Sequence, residues 1–255
     1  MATERSTGNL HVKLITPLHL LVFGSTLVVY NAPRIFRKAF ADEHNGHGIF
    51  RNYRNWYFFF FAAGLLLVAV SSVGLSYMTY VVCGILGFLA FAYTLPILPF
   101  KQKRRLRDYG WAKILVLASV WTTATAVLPI IYHHARVSFY PFEILCRFIF
   151  IFTLCVIFDI RDMQDDLRNN LLTLPNKVGI TRINWLINIA LLCFVALGFI
   201  QYCQHQAPYL LISIIGTAIV TRVIATYLQK YPTDRSYMLL ADGTMIVYSV
   251  LVLLG

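Results

Sequence analysis

The sequence predicts an all-α fold, a multi-pass transmembrane helical bundle of about eight membrane-spanning helices, on three observations. Hydrophobic residues make up 58% of the 255 positions and charged residues only 13%, about half the charged share of a soluble domain. Apolar runs recur along the chain at close to the roughly 20 residues a helix needs to cross a hydrocarbon core about 30 Å thick. Basic residues, finally, collect in every second loop. Because hydrocarbon offers no partner to a backbone N–H or C=O, each run is read as a helix, which pairs those groups internally.

The first run, Leu14 to Tyr30, follows a weakly charged leader. No A-x-A cleavage pattern comes after it, so it is read as a mature helix and not as a signal peptide. It opens into loop 31–55, which carries Arg34, Arg37, Lys38, Arg51 and Arg54. Trp56 to Val73 and Tyr77 to Leu98 form the next two helices around the short turn Gly74 to Ser76, ahead of loop 99–110 with Lys101, Lys103, Arg104, Arg105 and Arg107. Trp111 to Tyr132 and Pro141 to Phe158 follow, joined around His133 to Tyr140, and end in loop 159–182 with Arg161, Arg168, Lys177 and Arg182. Ile183 to Tyr202 and Tyr209 to Leu228 are joined by Gln204 to Pro208. Loop 229–236, with Lys230 and Arg235, then leads to Tyr237 to Leu254. Short turns on one side and long polar loops on the other predict four antiparallel hairpins in one domain, 1–255, with the working loops on a single face.

Sixteen basic residues lie in those long loops, against Arg5, Lys13 and Arg136 on the opposite side. The positive-inside rule makes the long loops cytoplasmic and both chain ends external. The net charge of +11 therefore reports topology and headgroup contact, not a nucleic-acid site. The expected location is a bacterial inner (cytoplasmic) membrane, with membrane lipids as partners and no nucleic acid. Cys83, Cys146, Cys155, Cys193 and Cys203 are scattered without a C-x-x-C pair and read as packing residues.

Ionisable residues inside spans each need an account. Glu143 and Arg147 are four apart and fall on one helix face as an ion pair. Arg222 and Asp242 lie at similar depth in neighbouring antiparallel spans and are expected to meet at the edge of a site. Lys113 is expected to snorkel to the inner surface without a partner.

The chemistry is expected where the fifth span runs into Asp159-Ile160-Arg161-Asp162-Met163-Gln164-Asp165-Asp166. At about 100° per residue, Asp159, Asp162 and Asp166 form one stripe and Asp165 turns away. Like charges on a stripe repel unless a cation sits among them. Hard carboxylate oxygens suit magnesium, which takes its remaining ligands from water and substrate phosphates. A solvated acidic helix end is the plainer alternative. His44 and His47, beside Asp42 and Glu43, are read as a solvated loop ahead of a metal site.

The run Asp159-x-x-Asp162-x-x-x-Asp166, followed by Thr173-Leu174-Pro175 and Gly179, resembles the second aspartate motif of the UbiA superfamily of intramembrane prenyltransferases. Tyr93-Thr94-Leu95-Pro96 with Lys101 is similar to the Tyr-Ser-x-Pro-Pro-x-x-x-Lys segment of that family. The resemblance covers nearly the whole chain, with two departures. The family has nine helices, whereas eight are expected here, with no counterpart expected for the first. The family's first aspartate motif begins with Asn, which Asn31 matches, but Ala32, Ile35 and Ala39 stand where acids are expected.

The resemblance implies transfer of an isoprenyl group from an isoprenyl diphosphate to a lipophilic acceptor, aromatic or similar, with no catalytic residue assigned. It implies one Mg²⁺ ion, more readily than two, on Asp159, Asp162 and Asp166. Asn31, Arg34, Arg37, Lys101 and Arg161 are the expected diphosphate contacts, and Tyr93, Arg222 and Asp242 are candidates for backing positions behind the site. Three competing readings remain. They are a UbiA-type cyclase or hydrolase of the same diphosphate, a catalytically silent relative that binds an isoprenoid or a partner, and a transporter or channel, which the lack of paired Gly/Pro breaks disfavours.

Overall fold

Each of the eight apolar runs forms a helix. A computed structural model of the chain describes residues 15–40, 49–94, 110–168 and 173–254. Its long helices are α1 (Pro17–Phe40), α2 (Ile49–Ser71), α3 (Tyr77–Thr94), α4 (Gly110–Tyr132), α5 (Pro141–Arg168), α7 (Ile180–His205), α8 (Pro208–Lys230) and α9 (Tyr237–Leu254). A short helix, α6 (Leu174–Val178), stands between α5 and α7. No strand occurs among the described residues.

Five of the helices, α4, α5, α7, α8 and α9, contain segments long and apolar enough to cross a membrane. In α1 to α3 the apolar portions are the shorter segments Pro17–Ala32, Asn55–Ser71 and Tyr77–Tyr93. Polar continuations account for this in the first two, since α1 runs on through Arg34, Arg37 and Lys38, and α2 begins with Arg51 and Arg54.

The described residues form two compact units, one within residues 13–105 and the other within residues 106–255. In the first unit α1 and α2 cross where Gly24 faces Gly64. A Cβ on Gly64 would lie 2.8 Å from the Gly24 carbonyl oxygen, and one on Gly24 would lie 2.9 Å from that of Gly64. Glycine at both positions permits this backbone contact, the usual device where lipid supplies no hydrophobic drive to associate. The outer side of α2 exposes Trp56, Phe58, Phe59, Leu65 and Leu66, an apolar surface suited to lipid.

In the second unit α5 is the central element, packed against α4 and α7, while α8 packs on α7 and α9. Phe150, Phe194 and Tyr248 bring α5, α7 and α9 together, with ring centroids 5.3 to 5.9 Å apart. Asn184 and Gln229 exchange amide hydrogen bonds of 3.0 and 2.8 Å between α7 and α8, fixing their register.

Two π turns interrupt this unit. Thr123–Val127 precedes Pro129 in α4, and the Leu128 N–H bonds back to the Thr123 carbonyl. Proline lacks an N–H and crowds the carbonyl four residues earlier, so the wider turn relieves a proline inside a span. The other, Tyr237–Ala241, opens α9.

The expected Glu143 and Arg147 pair forms, with Arg147 Nη2 donating to Glu143 Oε1 at 3.2 Å. The expected Arg222 and Asp242 pair does not. Asp242 is exposed, and Arg222 Nη1 is buried without a hydrogen-bond partner. The π turn just before Asp242 inserts a residue into the regular repeat and turns the following side chains by about 100°, a phase change that regular 3.6-residue periodicity does not anticipate.

Candidate functional site

The acidic segment continues the α5 helix without a break to Arg168. Helical spacing therefore sets the direction of its carboxylates, and Asp159 and Asp166, seven residues apart, share a face. Asp159 is 2% exposed and Asp166 is buried too. Between them stands Lys113 of α4, whose Nζ lies 2.5 Å from Asp159 Oδ1 and 2.8 Å from Asp166 Oδ2. The bond to Asp166 has hydrogen-bond geometry. The Asp159 contact does not, so both Asp159 oxygens are buried without an aligned donor. The expectation that Lys113 needs no partner is thus corrected: its ammonium is the countercharge of the acidic stripe. Three residues inside the start of α4, the lysine side chain reaches two carboxylates of the next span.

Asp162 takes a different course. Its Oδ1 accepts from Arg161 Nε at 2.7 Å, and the Arg161 guanidinium carbon lies 5.2 Å from the Phe158 ring centroid. The third acid of the stripe is therefore neutralised by its chain neighbour, outside the Lys113 cluster. Among the described residues no three acidic, histidine or cysteine side chains converge on a point that would hold a metal ion. Asp159 and Asp166 have the hard oxygens magnesium prefers, but the ammonium already lies between them. As arranged, the acids fit the lysine and not a divalent ion.

The segment after the acids closes the end of α5. Pro175 lies in the first turn of α6, where its missing N–H costs nothing. Asn176 Nδ2 donates to the Met163 carbonyl and to Thr173 Oγ1, both at 3.1 Å. Gly179 has φ of +82°, accepted readily only by glycine, and leads directly from α6 into α7. Asn176 thus ties α6 back to the acidic turns of α5.

In the unit of residues 13–105, Asn31 is buried and its Nδ2 donates to the Leu27 carbonyl at 2.7 Å, with Ala32 buried beside it. Tyr93 is half-buried near the end of α3. Arg34 and Arg37 lie on α1, but their side chains, Lys101, His44 and His47 lie outside the described residues. Sequence reasoning named Lys113 but not its partners, and missed Asn176. A signal for Lys113 was present, because a stripe of acids entering a membrane requires a cation and this lysine is embedded in the preceding span.

No family sequence profile matches the chain, and no curated protein matches it in sequence. Solved structures match in three dimensions. A UbiA homologue from Archaeoglobus fulgidus bound to GPP and Mg²⁺ superposes with a TM-score of 0.61 at 13% identity, over 99% of this chain and 90% of that one. The chain has the UbiA fold. The same homologue bound to DMAPP and Mg²⁺ gives 0.59 at 13% identity over the same shares. A digeranylgeranylglyceryl phosphate synthase gives 0.57 at 15% identity, over 99% of this chain and 88% of that one. With that fold and five helices long and apolar enough to cross a membrane, this is an integral membrane protein.

Proposed function

We propose that the protein is an intramembrane prenyltransferase, moving an isoprenyl group from an isoprenyl diphosphate to a lipophilic acceptor of aromatic or similar character. The observation that supports this best is the buried Asp159, Lys113 and Asp166 cluster at the loop end of α5, in a fold whose solved examples include one bound to GPP and one to DMAPP.

The chemistry needs three things of the chain. Cationic side chains must hold the diphosphate, and Arg34, Arg37, Lys101 and Arg161 are assigned that role together with Asn31. When the allylic C–O bond breaks, its electron pair leaves with the diphosphate, where the same cations stabilise the added charge. A water-poor cavity must then keep the allylic cation for the acceptor, whose carbon forms the new bond and gives up a proton. Tyr93, Arg222 and Asp242 are assigned to backing positions behind the diphosphate contacts. Magnesium would need Asp159 and Asp166, and both already share the Lys113 ammonium. The steps above rest on the chain's own cations. The loops bearing these residues are assigned to the cytoplasmic face of a bacterial inner membrane, within one domain, on the charge asymmetry.

The test is to incubate purified protein in lipid nanodiscs with isoprenyl diphosphates of several lengths, with and without lipophilic acceptors, in Mg²⁺ or EDTA. Diphosphate release that depends on acceptor is expected. Release without acceptor would point to a cyclase or hydrolase. A second reading, an isoprenoid-binding relative without turnover, is favoured by Ala32, Ile35 and Ala39, which stand where acids were expected. Saturable binding with no release in any mixture would establish it over the first.

A further inference from the structure

We infer that Lys113 stands in the position a divalent cation would take between Asp159 and Asp166, so that the acidic pair is held together without metal and a divalent ion enters only by displacing the ammonium. Three observations combine. The Lys113 ammonium reaches both carboxylates at once, at 2.5 and 2.8 Å. All three side chains are nearly enclosed, at 12%, 1% and 13% exposure for Lys113, Asp159 and Asp166, so bulk water does little to screen the interaction. The third acid is absent from the cluster, because Asp162 is turned to Arg161.

Charge decides the consequence. Two carboxylates and one ammonium sum to −1, and a divalent ion added beside the ammonium would bring two cations into contact in a poorly screened space. Removing the ammonium leaves −2, which a divalent ion neutralises. The lysine and the metal are therefore competitors for one position. An ammonium on a four-carbon stem can hold that position and can also leave it.

This deepens the proposed prenyl-transfer reading by assigning the cation of its acidic half, and the test reads metal, not turnover. Mn²⁺ binding to the full-length protein in detergent is measured by electron paramagnetic resonance, alongside thermal unfolding with and without Mn²⁺, for wild type, Lys113→Met and Lys113→Met with Asp159→Asn and Asp166→Asn. Lys113→Met is expected to bind one Mn²⁺ at least tenfold more tightly than wild type and to gain thermal stability from it. The triple variant is expected to lose that site. Lys113→Gln, which keeps length and a hydrogen-bond donor, serves if Lys113→Met does not fold. Wild type binding Mn²⁺ as tightly as the lysine variants overturns the inference, as does a lysine variant that gains no site. An absence of prenyl transfer alongside the expected Mn²⁺ pattern rejects the proposed function alone.

Discussion

Asp159 and Lys113 form an ion pair at 2.5 Å in which the carboxylate side chain is 1% exposed. Because Asp166 shares the same ammonium, the three groups stand or fall together, and removing the lysine differs from removing either acid. Lys113→Met leaves two buried carboxylates facing each other and is expected to cost about 3–5 kcal/mol, the usual consequence of breaking a buried pair from one side. Adding Asp159→Asn should return part of that loss, with a coupling of about 0.5–3 kcal/mol between the two changes. Thermal unfolding in detergent, followed by tryptophan fluorescence, supplies the four corners of the cycle; strictly additive losses would show that the ion pair carries no coupling energy.

The N-terminal half of α5 holds a second buried charge network that gives an independent prediction. The Arg147 guanidinium carbon lies 4.5 Å from the Tyr248 ring centroid while Nη2 bonds Glu143, and Glu143 is itself buried. Arg147→Leu leaves the acid unpaired and should cost about 3–5 kcal/mol. Tyr248→Phe keeps the ring and should cost under about 1 kcal/mol, whereas Tyr248→Leu removes the cation contact and the stacking and should cost about 3 kcal/mol. The same unfolding measurement ranks them, and equal losses for Phe and Leu would place the importance in the hydroxyl, not the ring.

These networks show which features the sequence makes visible. The helices were legible because lipid leaves a long apolar run only one way to satisfy its backbone, and the Glu143 and Arg147 pair was legible because both residues lie on one regular helix. Arg222 and Asp242 were misjudged for the complementary reason: a π turn at Tyr237–Ala241 changes the phase that the argument assumed. Lys113 was misread because snorkelling considers one helix at a time, whereas its partners belong to the next span. The acids were found, but the direction of Asp162 was not, since its closest cation is its immediate neighbour Arg161 and no periodicity argument weighs adjacent residues.

The Gly24 and Gly64 crossing predicts a local effect confined to the unit of residues 13–105. A leucine at 64 would place its Cβ 2.8 Å from the Gly24 carbonyl oxygen, backbone that cannot simply step aside. Gly64→Leu should force α1 and α2 apart at a cost of about 1–3 kcal/mol. Gly84→Ala is the matched control, because a Cβ there meets nothing within 4 Å. Hydrogen exchange should rise along α1 and α2 in Gly64→Leu and stay at the wild-type level in α5 and α7. Unchanged exchange in α1 and α2 would mean the crossing is not needed to hold the hairpin.

Where the family pattern expects acids, this chain has Ala32, Ile35 and Ala39, and it has Arg34 and Arg37 among them. Ala32 is 2% exposed, so an acid there would carry its charge into a buried position. A helix that has lost acids and keeps arginines is suited to take phosphate oxygens directly, since a guanidinium offers paired donors that need no bridging ion. The Arg34→Ala, Arg37→Ala double variant is therefore expected to bind a non-hydrolysable isoprenyl thiolodiphosphate at least tenfold more weakly than wild type, as each charge-assisted bond contributes about 1.5–3 kcal/mol. Titration calorimetry in EDTA checks it, with the unfolding midpoint confirming that the variant is folded. Affinity equal to wild type would reduce both arginines to topological anchors and move the diphosphate contacts to Lys101 and Arg161.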